Sequence, residues 1–136
     1  MVNTGSNVIN TGDGTNTLTL VDGVTTVNAG VDADNIMVSG GTNVIFADEG
    51  TNTITGAGDG VNITADAGND EITFNGNDLT IAAGEGENII TASGDSVSIT
   101  AGEGGDEITV AAGSDLTIDA GAGNNTITVG AEGANI

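Results

Sequence analysis

Residues 101–110 read AGEGGDEITV and residues 120–129 read AGAGNNTITV. Segments of a second kind alternate with these, such as GNDLTIAA at 76–83 and GSDLTIDA at 113–120. The first kind has a Gly-x-Gly turn, then Asp or Asn, then an Ile-x-Val pair. The second has one Gly, then a Leu/Val-x-Ile-x-Ala triplet. Short apolar/polar alternations between glycine turns are typical of β-strands, so the two segments together predict one coil of two strands and two turns.

A large aliphatic residue marks almost every ninth position of the chain. After one single-residue insertion, the series resumes at Ile118. Its members are Ile9, Leu18, Val27, Ile36, Ile45, Ile54, Ile63, Ile72, Ile81, Ile90, Ile99, Ile108, Ile118 and Ile127. This repeat predicts an all-β fold: a parallel β-roll or β-solenoid of about seven 18-residue coils, with one 19-residue coil between Gly102 and Gly121. We expect residues 1–136 to form a single domain with no obvious caps.

Strand alternation predicts which side chains point into the core. On the first sheet the inward pairs are Leu18 and Leu20, Ile36 and Val38, Ile72 and Phe74, Ile108 and Val110, and Ile127 and Val129. On the second sheet they are the triplets Val61–Ile63–Ala65, Leu79–Ile81–Ala83, Val97–Ile99–Ala101 and Leu116–Ile118–Ala120. With coils about 4.8 Å apart, the core is one thin aliphatic layer in a rod on the order of 35 Å long.

The composition limits the binding partners of this chain. It has 20 acidic residues, no Lys, Arg or His, and a formal net charge of −20. Nucleic acid and anionic membranes are therefore excluded as expected partners, because both attract cationic side chains. The natural partners of such a surface are hard cations such as Ca²⁺. An acidic chain with few aromatic residues could instead be disordered, above all without a cation, although the apolar period argues for a folded state.

Three positions of each Gly-x-Gly turn have a constant character. The residue two before the periodic aliphatic residue is Asp or Asn, and the residues four and six before it are Gly or, less often, Asp. This pattern resembles the nonapeptide repeat GGxGxDxUx of the RTX (repeats-in-toxin) calcium-binding β-roll, and the resemblance extends from about Gly5 to Val129. It implies that turn carbonyls and the Asp side chain bind Ca²⁺ between stacked coils.

The resemblance also implies a set of ligands. The strongest predicted ligands are Asp34, Asp70 and Asp106, and the predicted neutral ligands are Asn16, Asn52, Asn88 and Asn125. Further acids in the same turns include Asp32, Asp48 and Asp66. The chain departs from the family pattern because only alternate turns carry Gly-x-Gly and because Asn occupies the Asp position in four of seven coils.

Electrostatics favours a bound cation independently of the resemblance. Carboxylates stacked about 5 Å apart repel by roughly 1 to 3 kcal/mol per pair, and no basic residue relieves that repulsion. Bound Ca²⁺ would convert the repulsion into coordination. The alternative is that Asn and Asp only cap the turns, with water and salt screening the charge.

The sequence lacks the groups of a catalytic site. It has no His, Cys or Lys to activate a nucleophile, and no pair of carboxylates stands out from the repeating background. We therefore expect a protein that is not an enzyme.

Outward threonines such as Thr55, Thr73 and Thr91 resemble the ice-binding face of antifreeze solenoids, although Thr is also an ordinary residue on the solvent side of a strand.

The ends of the chain favour assembly. The chain is expected to begin with a second-sheet strand around Ile9 and to stop just after the first-sheet strand that contains Val129. Such ends could join head to tail into an open homopolymer. The resulting hypothesis is an extracellular, calcium-stabilised structural protein of a filament, biofilm matrix or surface layer, exported by a type I-like route without an N-terminal signal peptide. The alternatives are an ice-binding solenoid and a spacer segment of a larger RTX adhesin.

Overall fold

A computed structural model describes residues 2–3, 5–130 and 134–135, and these residues form two parallel sheets. The first sheet contains β1 (Val2–Asn3), β3 (Thr17–Val21), β5 (Asn35–Ser39), β7 (Thr53–Ala57), β9 (Glu71–Asn75), β11 (Ile89–Ser93), β13 (Glu107–Val110) and β15 (Thr126–Val129). The second contains β2 (Ser6–Asn10), β4 (Val24–Asn28), β6 (Thr42–Phe46), β8 (Asn62–Thr64), β10 (Thr80–Ala82), β12 (Ser98–Thr100), β14 (Leu116–Asp119) and β16 (Ala134–Asn135).

The register of the strands confirms the predicted coil. Each strand pairs with the strand one coil away at a spacing of 18 residues, as in Ile72 with Ile90. The spacing becomes 19 residues where Ile108 pairs with Ile127. The fold is therefore the predicted all-β solenoid of about seven coils. Among the described residues, no helix is long and apolar enough to cross a membrane.

The core is the predicted single layer of aliphatic side chains between the two sheets. The predicted inward residues from Leu18 to Ile118 are buried, while Ala120, Ile127 and Val129 near the last coil are partly buried. The size of the side chain at one inward position of the first sheet varies along the stack. Phe74, which is fully buried, pairs with Gly56 on one side and Ala92 on the other, so its ring occupies the space that the two small residues leave.

Two buried polar residues were not predicted. Thr25 and Asn43 stand where later coils have a Val or Leu, and both are at most 1% exposed. The Asn43 side chain is satisfied because its Oδ1 accepts a bond from the Thr25 backbone N–H and its Nδ2 donates to the Gly40 carbonyl. The Thr25 hydroxyl has no partner. The core of the first coils is thus less apolar than the core from Val61 onward.

The prediction of which strands come first and last in the chain was wrong. A short first-sheet strand, β1, precedes the strand that contains Ile9, and a short second-sheet strand, β16, follows the strand that contains Val129. Both sheets therefore have eight strands, because residues beyond the regular repeat still extend the parallel ladders. Ile9 and Val129 nevertheless lie on edge strands, β2 and β15, of opposite sheets at opposite ends. Met1, Thr4, residues 131–133 and Ile136 of the predicted terminal segments lie outside the described residues.

Candidate metal centre

Gly-rich turns connect each second-sheet strand to the next first-sheet strand. Each turn ends at an Asp or Asn that we call the ladder residue. In the turn that ends at Asp70, the residues four and two earlier have positive φ, 59° at Asp66 and 151° at Gly68. A Cβ at Gly68 would collide with the carbonyl oxygen of Gly50 in the preceding coil. The close stacking of the coils therefore explains why this second position is so often Gly.

The ladder residues form one continuous row of hydrogen bonds along an edge of the solenoid. In each coil the backbone N–H of the ladder residue donates to the side-chain Oδ1 of the ladder residue in the next coil. The N···O distances are 2.8 Å for Asn16 to Asp34, 3.0 Å for Asp34 to Asn52, 2.7 Å for Asn52 to Asp70, 3.0 Å for Asp70 to Asn88, 2.9 Å for Asn88 to Asp106 and 2.9 Å for Asp106 to Asn125. One oxygen of every ladder side chain after Asn16 is thus fixed by its neighbour.

The second terminal atom of the ladder side chain differs between the two residue types. In the Asn turns the Nδ2 group donates to carbonyls of its own turn. Asn16 donates to Gly12 at 2.9 Å and to Gly14 at 2.6 Å. Asn88 makes longer bonds, of 3.3 Å and 3.4 Å, to the corresponding carbonyls of Gly84 and Gly86. The carbonyls four and two residues before the ladder residue therefore face its side chain.

In the Asp turns the corresponding atom is an oxygen. The Oδ2 atoms of Asp34, Asp70 and Asp106 are buried and have no hydrogen-bond partner. The three residues are at most 2% exposed. A buried carboxylate oxygen without a donor is costly, because a charge removed from water needs a compensating positive charge or hydrogen bonds. Each Asp turn thus holds an uncompensated negative atom.

The pKa of Asp70 reflects this burial. Loss of solvent raises the pKa of the Asp70 carboxyl from 3.8 to about 6. The hydrogen bonds with Asn52 act in the opposite direction, and the nearby Asp66 carboxylate adds to the rise. The fold therefore disfavours the charged form of Asp70 unless a positive charge lies beside it.

The other predicted acids differ from the ladder residues in burial. Asp32 and Asp66 are exposed, and Asp48 is half-buried. The Asp32 carboxylate accepts a bond of 3.2 Å from the backbone N–H of Gly14. These acids occupy the positive-φ positions of the turns, where Asp is among the side chains that tolerate a left-handed backbone.

No group of three or more acidic side chains converges on one point in the part of the chain that the structure describes. A cation in an Asp turn would therefore draw most of its ligands from backbone carbonyls, with the buried Asp as its charged ligand. Hard oxygen donors of both kinds suit Ca²⁺.

An open groove of about 440 Å³ runs beside the ladder. Its wall carries Glu71, Glu87 and Glu107, which give the groove a negative potential that attracts cations.

Sequence reasoning missed a second ladder on the opposite edge of the solenoid. There the backbone N–H of Asn77 donates to Oδ1 of Asp59 at 2.7 Å, that of Asp95 to Asn77 at 2.9 Å, and that of Ser114 to Asp95 at 2.8 Å. These residues are exposed, so this row needs no cation. The repeated Asp, Asn or Ser two residues before the Leu/Val of each triplet was a visible signal for it.

The fold and these turns define a β-solenoid with repeated, carbonyl-rich acidic turns. The family model for the RTX calcium-binding nonapeptide repeat matches four times, at residues 1–27, 28–61, 82–116 and 117–132, which is more than half of the chain. The chain therefore belongs to the RTX calcium-binding repeat family, and its repeats indicate Ca²⁺ binding. Neither the search of curated proteins nor the search of solved structures returned a match. RTX repeat domains are typically structural and non-catalytic, and they are typical of secreted proteins.

Proposed function

We propose that this chain is a non-catalytic, secreted structural protein whose solenoid is stabilised by Ca²⁺ bound in the turns of Asp34, Asp70 and Asp106. The observation that carries this proposal is the buried Oδ2 atom of each of these residues, which has no donor. A Ca²⁺ ion beside that atom would also interact with the turn carbonyls that face the ladder side chain.

Calcium would change the electrostatic balance of the whole fold. The chain has 20 acidic residues and no basic one, so nothing in the protein itself offsets the repulsion between stacked coils. A thin core of one aliphatic layer stabilises each coil only through its neighbours. Binding energy from the ions therefore adds directly to folding energy. Folding would occur where calcium is abundant, as it is outside cells.

Circular dichroism of chelator-treated protein tests the calcium part of the proposal. We expect a reduced β signal and a lowered thermal midpoint in EDTA, a cooperative recovery of both as Ca²⁺ is added, and a much smaller effect of Mg²⁺, which prefers a tighter octahedral site and keeps its water. A full β signal with EDTA present would contradict the proposal.

We further propose that the molecules assemble head to tail. The edge strands β2 and β15 have a partner on one side only within the described residues, and their core residues Ile9 and Val129 are only partly buried. An exposed parallel edge with an open end of the core can pair with another chain. Such heterologous contact generates an open filament, as a matrix or surface layer requires.

Electron microscopy of negatively stained protein in calcium tests assembly. We expect filaments from the unmodified chain, and their loss in Ile9→Asp and in Val129→Asp. The matched controls are Val8→Asp and Thr128→Asp, which place the same charge on the same strands but on exposed outward positions. Filaments that survive both inward changes would refute stacking through these ends. A monomeric rod under all conditions would favour the spacer of a larger adhesin.

Ice binding is the weaker candidate. Thr55, Thr73 and Thr91 do lie in register on the outer face of the first sheet. The same face exposes Met37 and Ile89, at 42% and 50%, which interrupts a regular array of hydroxyls. A thermal-hysteresis measurement on folded protein decides this, and a value of zero removes the hypothesis.

A further inference from the structure

The ladder residues alternate strictly between Asn and Asp along the whole solenoid. The order is Asn16, Asp34, Asn52, Asp70, Asn88, Asp106, Asn125. Both residue types supply the Oδ1 atom that accepts the N–H of the preceding coil, so the hydrogen-bond row alone does not require this alternation. The two types differ only in the second terminal atom, which is an NH₂ donor in Asn and an oxygen in Asp.

The ladder fixes the orientation of the Asn52, Asn88 and Asn125 amides. The backbone N–H of Asp34 points at the side chain of Asn52, and that of Asp70 points at Asn88. Only an amide oxygen can accept these bonds, so the Nδ2 group must face the other way. In Asn52 it donates to the Asp48 carbonyl at 3.3 Å, and in Asn125 to the Gly121 carbonyl at 3.3 Å. All four amides thus place their positive edge among the carbonyls of their own turn.

We infer that the asparagine amide takes the place of the cation in alternate turns, so that the chain binds Ca²⁺ at Asp34, Asp70 and Asp106 and leaves the four Asn turns without an ion. This inference rests on the proposed calcium function, and it changes the role that the family resemblance implies for Asn16, Asn52, Asn88 and Asn125 from ligands to internal replacements for the ion.

Two observations support this division. The Asn turns have a hydrogen-bond donor among their carbonyls, so an ion entering there would have to displace the amide and would find no charged ladder side chain. The Asp turns have a buried oxygen with no donor. Alternation also keeps the buried carboxylates two coils apart, at about twice the 4.8 Å strand spacing, so successive ions do not crowd one another.

Ion counting by native mass spectrometry tests the inference. We expect three tightly held Ca²⁺ per molecule, two in Asp70→Asn and four in Asn52→Asp. The matched control is Asp59→Asn, which removes the same charge from the exposed ladder on the opposite edge and should retain three ions. Folding of each variant in excess calcium is checked by circular dichroism.

A second measurement needs no calcium. In EDTA, Asp70→Asn should unfold at a higher temperature than the unmodified chain, because the new amide can donate to the carbonyls of Asp66 and Gly68. Asp59→Asn should shift the midpoint less. If Asn52→Asp does not fold even in calcium, the ion count of Asp70→Asn and the comparison of thermal midpoints in EDTA still test the inference.

The outcomes separate this inference from the calcium function. Seven ions, one in each turn, would leave the calcium function standing and overturn the inference. An ion count that is equal in Asp70→Asn and Asp59→Asn would overturn the inference and the assignment of an ion to the Asp70 turn, although calcium stabilisation of the fold would stand. A chain that binds no Ca²⁺ would overturn both.

Discussion

The backbone N–H of Asn52 donates to Oδ1 of Asp70 at 2.7 Å, while the other carboxylate oxygen of Asp70 is buried without a partner. One side chain thus serves two purposes. Its first oxygen joins two coils, and its second oxygen is the atom that the proposed function places beside a Ca²⁺ ion. The same arrangement recurs at Asp34 and Asp106, so in the proposed function stacking and cation binding depend on the same three carboxylates.

Removing one ladder acceptor should weaken the solenoid in a way that calcium does not repair. In Asn88→Ala the buried N–H of Asp70 loses its acceptor, and the carbonyls of Gly84 and Gly86 lose their donor. We expect a loss of about 1–3 kcal/mol in the free energy of unfolding, measured by urea denaturation in saturating calcium. The control is Asn77→Ala on the exposed ladder, where water replaces the lost acceptor. Equal losses in the two variants would contradict a special role for the buried row.

A side chain at the second positive-φ position should disrupt the stack. In Gly68→Ala the new Cβ collides with the Gly50 carbonyl, and φ of 151° adds strain of roughly 1–3 kcal/mol. Gly105→Ala is the control, because its φ is not positive and its Cβ would find only ordinary contact, with the Asn124 carbonyl oxygen at 3.6 Å. We expect the thermal midpoint in calcium to fall sharply for the first variant and to change little for the second. A tolerated Gly68→Ala would show that the coils can separate at little cost.

Replacing the buried Phe74 should lower the free energy of unfolding far more than replacing the exposed Phe46. Phe74→Ala leaves a cavity beside Gly56 and Ala92, neither of which can fill it, so we expect a loss of about 3–5 kcal/mol. Phe46→Ala, whose side chain is 37% exposed on the outer face, should cost much less. Chemical denaturation in calcium measures both. A small effect at Phe74 would mean that the thin core collapses around the cavity.

The sequence was sufficient to predict the coil because an 18-residue period repeated over the chain leaves few other ways to bury the aliphatic residues. It also placed Asp34, Asp70 and Asp106 at one edge. It did not predict β1 or β16, since Val2 and Ala134 lie beyond the regular repeat. Thr25 and Asn43 were missed as buried residues because a polar side chain at one inward position breaks the alternation on which the prediction relied.

The sequence did not predict that the ladder residues are joined by hydrogen bonds between coils. A row of Asn and Asp predicts turn capping equally well within a coil or between coils. Only the spacing of the backbone N–H of Asn52 from Oδ1 of Asp70 shows that the bond crosses to the next coil. The alternation of Asn and Asp was visible in the sequence, but its meaning depends on which terminal atom faces the turn, and that is set by the bond across coils.

Metal-free protein should become less stable as the pH rises, and Asp70 should account for a defined part of that loss. Burial raises the pKa of Asp70 from 3.8 to about 6, so the folded state holds its proton more tightly than the unfolded state. Stability is therefore present below the unfolded value and is lost as the pH rises through about 4 to 6, by on the order of 2–3 kcal/mol for this group. Asp70→Asn lacks the titration, so the difference in unfolding free energy between this variant and the unmodified chain should grow across that range and then level off. Urea denaturation in calcium-free buffer at several pH values measures it, with Asp59→Asn as the charge-matched control. A difference that is independent of pH would show that the Asp70 carboxylate finds compensation in the metal-free fold.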